Sequence, residues 1–202
     1  MCRITYTGCM PRWKPDARQR LTLAALDLFS ERGFDETTVA EIAERAGLTR
    51  STFFRHFADK REILTAGQQI LSRLLAEGIA DAPEDSSPLD AVGIGLDRAS
   101  GVMTDFNREL GPRLNAVIEA NQELRAREAM KSSGMAAVMA EALRKRGVPE
   151  AAAQVSAELG VLAFGTGYRR WADTERAEDA GELISHTRAA FAELRAAAAS
   201  LR

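Results

Sequence analysis

The chain's 202 residues are 46% hydrophobic and 28% charged, a composition that supports a soluble globular core without disulfides or metals. No apolar run approaches the roughly 20 residues that a membrane-spanning helix requires, and the formal net charge of −2 by itself argues against a partner as anionic as DNA. The charge is unevenly spread, however. Residues 1–60 are net positive and the remainder net negative, and in residues 1–20 Arg3, Arg12, Lys14, Arg18 and Arg20 are answered by Asp16 alone, which reopens that partner for the N-terminal part.

The opening MCRITYTGCM is too polar to be the apolar heart of a secretory signal, so a cytoplasmic protein is expected; MPRWKPDARQR from Met10 also reads as a beginning. Cys2 and Cys9 are the only cysteines. Without further ligands nearby, and in a reducing compartment, they are expected to be incidental thiols rather than a metal site or a disulfide. Residues 1–16 read as a flexible basic tail. Arg12, Lys14 and Arg18 can reach a minor groove or a phosphate, or simply be solvated.

From there every periodic segment runs at helical spacing and none alternates as a strand would, so the expected class is all-α, with about nine or ten helices. Leu21, Ala24, Ala25, Leu28 and Phe29 form one apolar face that stops at Gly33, with Phe34 closing the end. Thr38 and Glu41 have the spacing of a capping box, worth on the order of 1 kcal/mol, and Val39, Ile42, Ala43 and Ala46 follow as a buried face. Gly47 stands where the chain must turn, and Thr49 is placed to cap a third helix through RSTFFRHF.

Asp59 and Glu62 suit another capping pair, opening KREILTAGQQILSRLLAEGIADA as one expected helix of about 20 residues, roughly 30 Å long. Its seam would be Ile63, Gly67, Ile70 and Leu74, widened by Leu64, Leu71 and Leu75. DAPEDSSPLD, residues 81–90, reads as a loop. At least five helices are expected beyond it, punctuated at Gly111-Pro112, at Ser132-Ser133-Gly134 and at Gly147-Val148-Pro149.

Residues 39–58 fit a helix-turn-helix at its demanding positions: Ala43 where the helices touch, Gly47 in the turn, and Ile42, Leu48 and Phe53 underneath. LAALDLFSERGFDETTVAEIAERAGLTRSTFFRHFADKREIL, within residues 17–64, resembles the DNA-binding domain of the TetR family of bacterial repressors. The shared features are the Ala-Ala-x-x-Leu-Phe face, Gly33-Phe34, Thr37-Thr38-Val39, Ile42-Ala43, Ala46-Gly47, the aromatic pair, His56-Phe57 and Lys60. The remaining two thirds resemble that family only in length and helicity. The expected organisation is a tail over 1–16, a helix-turn-helix DNA-binding domain over 17–62 and a ligand-binding and dimerisation domain over 63–202.

The residues assign roles independently of that resemblance. Phe53 and Phe57, four apart, share a helical face about 40° wide and are expected to complete a core with Leu28, Phe29, Ile42, Ala43 and Gly47. Phe54 points about 100° away, onto the surface that carries Arg50 and Ser51. On that face Arg50 can bond guanine bidentately, Ser51 can contact either base type and Phe54 can touch a thymine methyl. The family most often has tyrosine at Phe54, so its phosphate-reaching hydroxyl is missing here. Thr38, Thr49, Thr52, Arg55, His56 and Lys60 are expected to hold phosphates, with capping alone as the alternative for Thr38 and Thr49 and surface packing for His56.

One small reading head gives weak specificity, so a homodimer on a palindromic double-stranded operator is expected. Two late segments offer the dimer face: Val155, Leu159, Leu162 and Thr166, then Leu183, Thr187, Ala190, Leu194 and Ala198. The resemblance implies that the last two helices form a four-helix interface between protomers; the same stripes could instead face the chain's own core. Candidates for a small-molecule effector pocket are Met103, Phe106, Leu110, Val117, Asn121, Met135, Met139 and Phe164. Asn121 among leucines needs a polar partner, either a ligand or a neighbouring helix.

Repression, relieved by an unidentified effector, is the mode the resemblance implies. A helix from Lys60 shared by both domains would carry the coupling. Catalysis is not expected: His56 and His186 are the only histidines, and there is no Ser-His-Asp or Cys-His arrangement and no glycine-rich phosphate loop. No cofactor or metal is expected. The rival reading is a helical module that uses the hairpin for a protein partner.

Overall fold

A computed structural model describes residues 16–65, 67–173 and 182–200; Cys2, Cys9, Arg12 and Lys14 lie outside the described residues. Among the described residues there are ten helices and no strand, in agreement with the all-α class. They fall into two compact units, Met1–Ile63 and Leu64–Arg202.

The first unit contains α1 (Ala17–Arg32), α2 (Val39–Arg45) and α3 (Arg50–His56). Asp16 starts α1 by accepting from the Gln19 N–H at 2.8 Å, and Gly33, at φ 89°, ends it. Leu21, Ala25, Leu28 and Phe29 are buried, with the Phe34 ring tilted against Phe29 at 4.9 Å between centroids. Thr38 and Glu41 form the full capping box that opens α2. Gly47 takes a left-handed φ of 64° in the turn to α3, a conformation glycine adopts without penalty, and the Thr49 hydroxyl accepts from the Thr52 N–H at 3.1 Å to start α3.

The single long helix expected from Lys60 is interrupted. It is replaced by α4 (Glu62–Thr65) and α5 (Gln68–Ala80), because Gly67 stands between them at φ 92°, a left-handed value that an α-helix cannot contain. The seam shifts accordingly: Ile70 is 54% exposed, and Leu75, Gly78 and Ile79 carry the burial. Ser87 caps α6 (Pro88–Ser100), with Pro88 in the first turn, which shortens the expected loop to 81–87.

Two expected breaks do not occur. α7 (Asp105–Ala120) runs through Gly111-Pro112, and α8 (Gln122–Lys145) runs through Ser132-Ser133-Gly134. Packing overrides propensity at both places. Tyr168 lies so close over Gly111 that a Cβ there would be 2.7 Å from its ring, and Met135, Ala136 and Met139 just beyond Gly134 are core residues. The chain breaks at Asn121 instead, which ends α7 and caps α8 by accepting from the Leu124 N–H at 3.1 Å. Its polar side chain thus finds a backbone partner at a helix start.

α9 (Glu150–Ala172) and α10 (Leu183–Ser200) complete the second unit. Its core combines Leu75, Ile79, Val92, Leu96, Met139, Leu143 and Phe191. α5 and α6 cross almost backbone to backbone: a Cβ on Gly78 would stand 2.6 Å from the Gly95 Cα, and one on Gly95 2.8 Å from the Leu75 carbonyl oxygen. α10 is tied to α6 by Arg188, both of whose bonds to Asp97 measure 2.8 Å, and by Arg195 to Asp90 at 2.8 Å.

Arg146 fastens the end of α5 to the end of α8. Its guanidinium donates to the carbonyls of Ala82 at 2.7 Å and Pro83 at 2.5 Å, neutralising exposed acceptors past a helix C-terminus. Arg146→Ala is expected to cost about 2 kcal/mol, in line with lost charged hydrogen bonds, measured as a lowered urea midpoint; an unchanged midpoint would remove this role.

Candidate nucleic-acid interface

The short α3 presents two different faces. Phe53 and Phe57 are 0% and 1% exposed and meet each other at 5.6 Å between centroids, whereas Phe54 is 51% exposed and touches Phe53 edge-on at 5.4 Å. Arg50, Ser51 and Arg55 are exposed as well. α3 carries no acidic residue, so its open face combines two guanidiniums, a hydroxyl and an aromatic ring. Such a face can offer bidentate donors and apolar contact together, which is what base edges in a major groove require.

The residues expected to hold phosphates are placed less uniformly. The Thr49 and Thr52 hydroxyls lie 3.0 Å apart, and Arg55 reaches back to Thr52 at 3.3 Å, so these three form a cluster at the start of α3. His56 is half-buried at its end. Thr38 is committed elsewhere: its N–H and its hydroxyl both donate to Glu41 Oε2, at 2.9 and 2.8 Å. Those two bonds, with Arg32 nearby, hold the Glu41 carboxyl below its ordinary range. Thr38 therefore acts as a cap in this arrangement.

Lys60 departs furthest from expectation. Its ammonium donates to the carbonyls of Phe34 at 2.7 Å, Asp35 at 3.1 Å and Thr37 at 2.9 Å, and it lies 4.5 Å from the centroid of the Phe34 ring. All three N–H groups are used within the protein, and none is left for a phosphate. Arg20, counted in the sequence only as part of the basic excess, has a specific place. It donates to the carbonyl of Ala46 and, at 3.3 Å, to that of Gly47. Arg18 lies over Phe57 at 5.0 Å. Periodicity gives no sign of either contact, because each joins residues far apart in the chain.

α1 and α2 are further joined by Arg45 paired bidentately with Glu31, both bonds 2.8 Å, and by Arg32 with Glu41 at 2.8 Å. The Arg45 bond holds the Glu31 carboxyl below its ordinary range.

In the second unit the expected dimer residues divide. Val155 and Leu162 are 59% and 51% exposed, Leu159, Thr166 and Leu194 are half-buried and Ala198 is exposed. Leu183, Thr187 and Ala190 instead turn inward, each at most 2% exposed. Thr187 accepts from the Ser100 hydroxyl at 3.2 Å. On α10 the first part of the stripe, Leu183 to Ala190, is covered by α6 and α9 of the same chain.

The expected pocket residues are spread over two clusters that share Phe164. Val117, Met135 and Met139 are buried, the two methionines within the main core. Met103 and Phe164 pack with Tyr168 against Trp171 and Leu183. Phe106 and Leu110 are half-buried, and Asn121 is a cap. Tyr168 donates to the Asn107 carbonyl at 2.5 Å, and burial pushes its hydroxyl up to about 12. A groove of about 330 Å³ lies on other residues, among them Asn115, Ile118, Arg125, Ser132 and Arg169.

Comparison with known proteins singles out the first unit. Residues 21–66 match the family model of bacterial regulatory proteins, tetR family. The HTH-type transcriptional regulator TcmR of Streptomyces glaucescens is 35% identical over 75 residues, 37% of this chain and 33% of that protein. The HTH-type transcriptional repressor BepR of Brucella suis is 42% identical over 67 residues, 32% of this chain and 31% of that protein. The matched stretch thus spans about a third of the length of these relatives. Over nearly the whole chain the fold is similar to that of SmeT of Stenotrophomonas maltophilia in its triclosan complex, with TM-score 0.56, 19% identity and 91% of each chain covered. It is also similar to that of Salmonella enterica GusR, with TM-score 0.53, 18% identity, and 88% of this chain and 93% of that one covered.

Proposed function

Because the chain belongs to the TetR family of bacterial regulatory proteins, we propose that it is a cytoplasmic, sequence-specific transcriptional repressor that reads DNA with α3. One observation carries this reading: Arg50, Ser51 and Phe54 share an open, acid-free face on a helix whose opposite face is locked into the core by Phe53 and Phe57. A core-facing aromatic pair makes so short a helix rigid, and a rigid helix is what base reading needs. Among the described residues no helix is long and apolar enough to cross a membrane.

The reading includes a homodimer on a palindromic operator. Support comes from α9, where Val155 and Leu162, seven residues apart, expose apolar surface on one side of the helix, and from α10, where Ala189, Ala192 and Ala196 are exposed. Small side chains there allow a second helix pair to approach closely. It also includes release by a small molecule, since SmeT, whose fold the chain shares, has been captured with triclosan.

Selection of bound sequences from random DNA is expected to yield a palindrome. Arg50→Ala should relax preference at one base position in each half-site by about 1–3 kcal/mol, and Phe54→Ala should weaken binding while leaving the thermal transition in place. Uniform weakening on every sequence by Arg50→Ala would remove Arg50 from base reading. Affinity insensitive to salt would favour the protein-interaction reading instead.

A further inference from the structure

We propose that Lys60 and Arg20 are positioning residues for DNA binding. Each cation is spent on backbone carbonyls of one of the two turns that flank α2, and together they set the direction in which α3 presents Arg50, Ser51 and Phe54. The inference rests on the reading of α3 as the DNA-reading helix.

The two turns are held in the same way from opposite ends. Lys60, in the segment after α3, reaches back to the turn between α1 and α2, where the carbonyls of Phe34, Asp35 and Thr37 converge on its ammonium at 2.7, 3.1 and 2.9 Å. A tetrahedral ammonium has three hydrogens, and this site uses all of them. Its position 4.5 Å from the Phe34 ring centroid adds attraction to the ring. The carbonyl of Thr37 immediately precedes Thr38, the cap of α2.

Arg20, on the first turn of α1, crosses to the turn between α2 and α3 and donates to the carbonyls of Ala46 and Gly47. The guanidinium can approach because residue 47 is glycine: a Cβ there would lie 3.0 Å from Arg20 Nη2. Thr49, the cap of α3, follows two residues later.

α2 needs such help. It has seven residues and buries only Ile42 and Ala43, too little for a helix of that length to hold its own direction. Charge-assisted bonds to carbonyls at both its ends add to the constraint that the exposed Arg45–Glu31 and Arg32–Glu41 pairs give. A lysine and an arginine beside a DNA-reading helix would ordinarily be taken for phosphate ligands. Here the geometry gives them a different task, in which they affect affinity through shape and not through a counted ionic contact.

Salt dependence separates the two tasks. Operator affinity of the full chain is measured over a salt series on the sequence selected by the unmodified protein, at a temperature where each variant is fully folded. Hydrogen exchange of the amides of residues 37–41 and 48–52 is followed in parallel. Lys60→Met and Arg20→Met are each expected to lose roughly tenfold in affinity at every salt concentration. The slope of log affinity against log salt should stay unchanged, and exchange should quicken at 37–41 for Lys60→Met and at 48–52 for Arg20→Met.

A slope reduced by about 0.9 for each lost contact, with exchange unchanged, would make these residues phosphate ligands and overturn the proposal. Recovery of full affinity once the variants are folded would reduce them to stabilising residues and overturn it equally. If Lys60→Met does not fold, Lys60→Gln and Arg20→Met carry the same comparison. Failure of the unmodified chain to select any DNA sequence would overturn the DNA-reading assignment and the positioning role with it, whereas the turn contacts would still be visible in the exchange of the two variants.

Discussion

Phe53→Ala is expected to destabilise the first unit by about 3–5 kcal/mol, the usual cost of removing a buried aromatic. The ring is 0% exposed and is bracketed by Phe57 at 5.6 Å and Phe54 at 5.4 Å between centroids. Three short helices over Ala17–His56 have few large side chains to rearrange into the void, so relaxation recovers little. A domain of this size has only a few kcal/mol in total. Exchange of the α1 to α3 amides in the full chain should therefore approach that of an unfolded segment. Phe54→Ala makes the contrast, because its half-exposed ring leaves no cavity, and its loss should register in DNA binding. Protection of the α3 amides surviving Phe53→Ala would contradict the assignment of Phe53 to the core.

Gly167→Ala is expected to damage the second unit despite adding a single methyl group. A Cβ on Gly167 would lie 2.6 Å from the Thr187 Cα and 2.8 Å from its N and Oγ1. Two of those atoms are backbone, so α10 must move bodily away from α9 to admit one methyl group. The move also strains the buried Ser100–Thr187 hydrogen bond at 3.2 Å and the Arg188–Asp97 pair beside it. Overpacking of this kind costs about 1–3 kcal/mol. Since the two displaced helices carry the proposed dimer face, sedimentation should show weaker self-association along with a lower melting temperature. By comparison Gly165→Ala, on the same helix with nothing within 4 Å of the added atom, is expected to be neutral or slightly stabilising. Equal behaviour of the two variants would contradict the close crossing.

Features set by neighbouring residues were legible before any fold was known. The Thr38–Glu41 box, the Thr49 cap, the stop at Gly33 and the opposition of Phe53 and Phe57 to Phe54 all follow from spacings of five residues or fewer. Helical geometry converts such spacings directly into faces and caps. Even within that range a local rule fails when long-range packing outweighs it. Pro112 did not end α7, where Tyr168 lies against Gly111, and the stretch around Gly134 stayed helical beside core methionines.

Local spacing therefore suffices for the class, the helix-turn-helix and the outward face of α3. Tertiary structure alone decided that Lys60 and Arg20 serve backbone carbonyls, that Leu183, Thr187 and Ala190 look inward, and that the helix after Lys60 divides at Gly67. The reason is physical. An amphipathic stripe tells which side of a helix avoids water but not which chain covers it, and a cation's partner is set by whichever acceptors the fold brings near, here carbonyls of residues some 26 positions away.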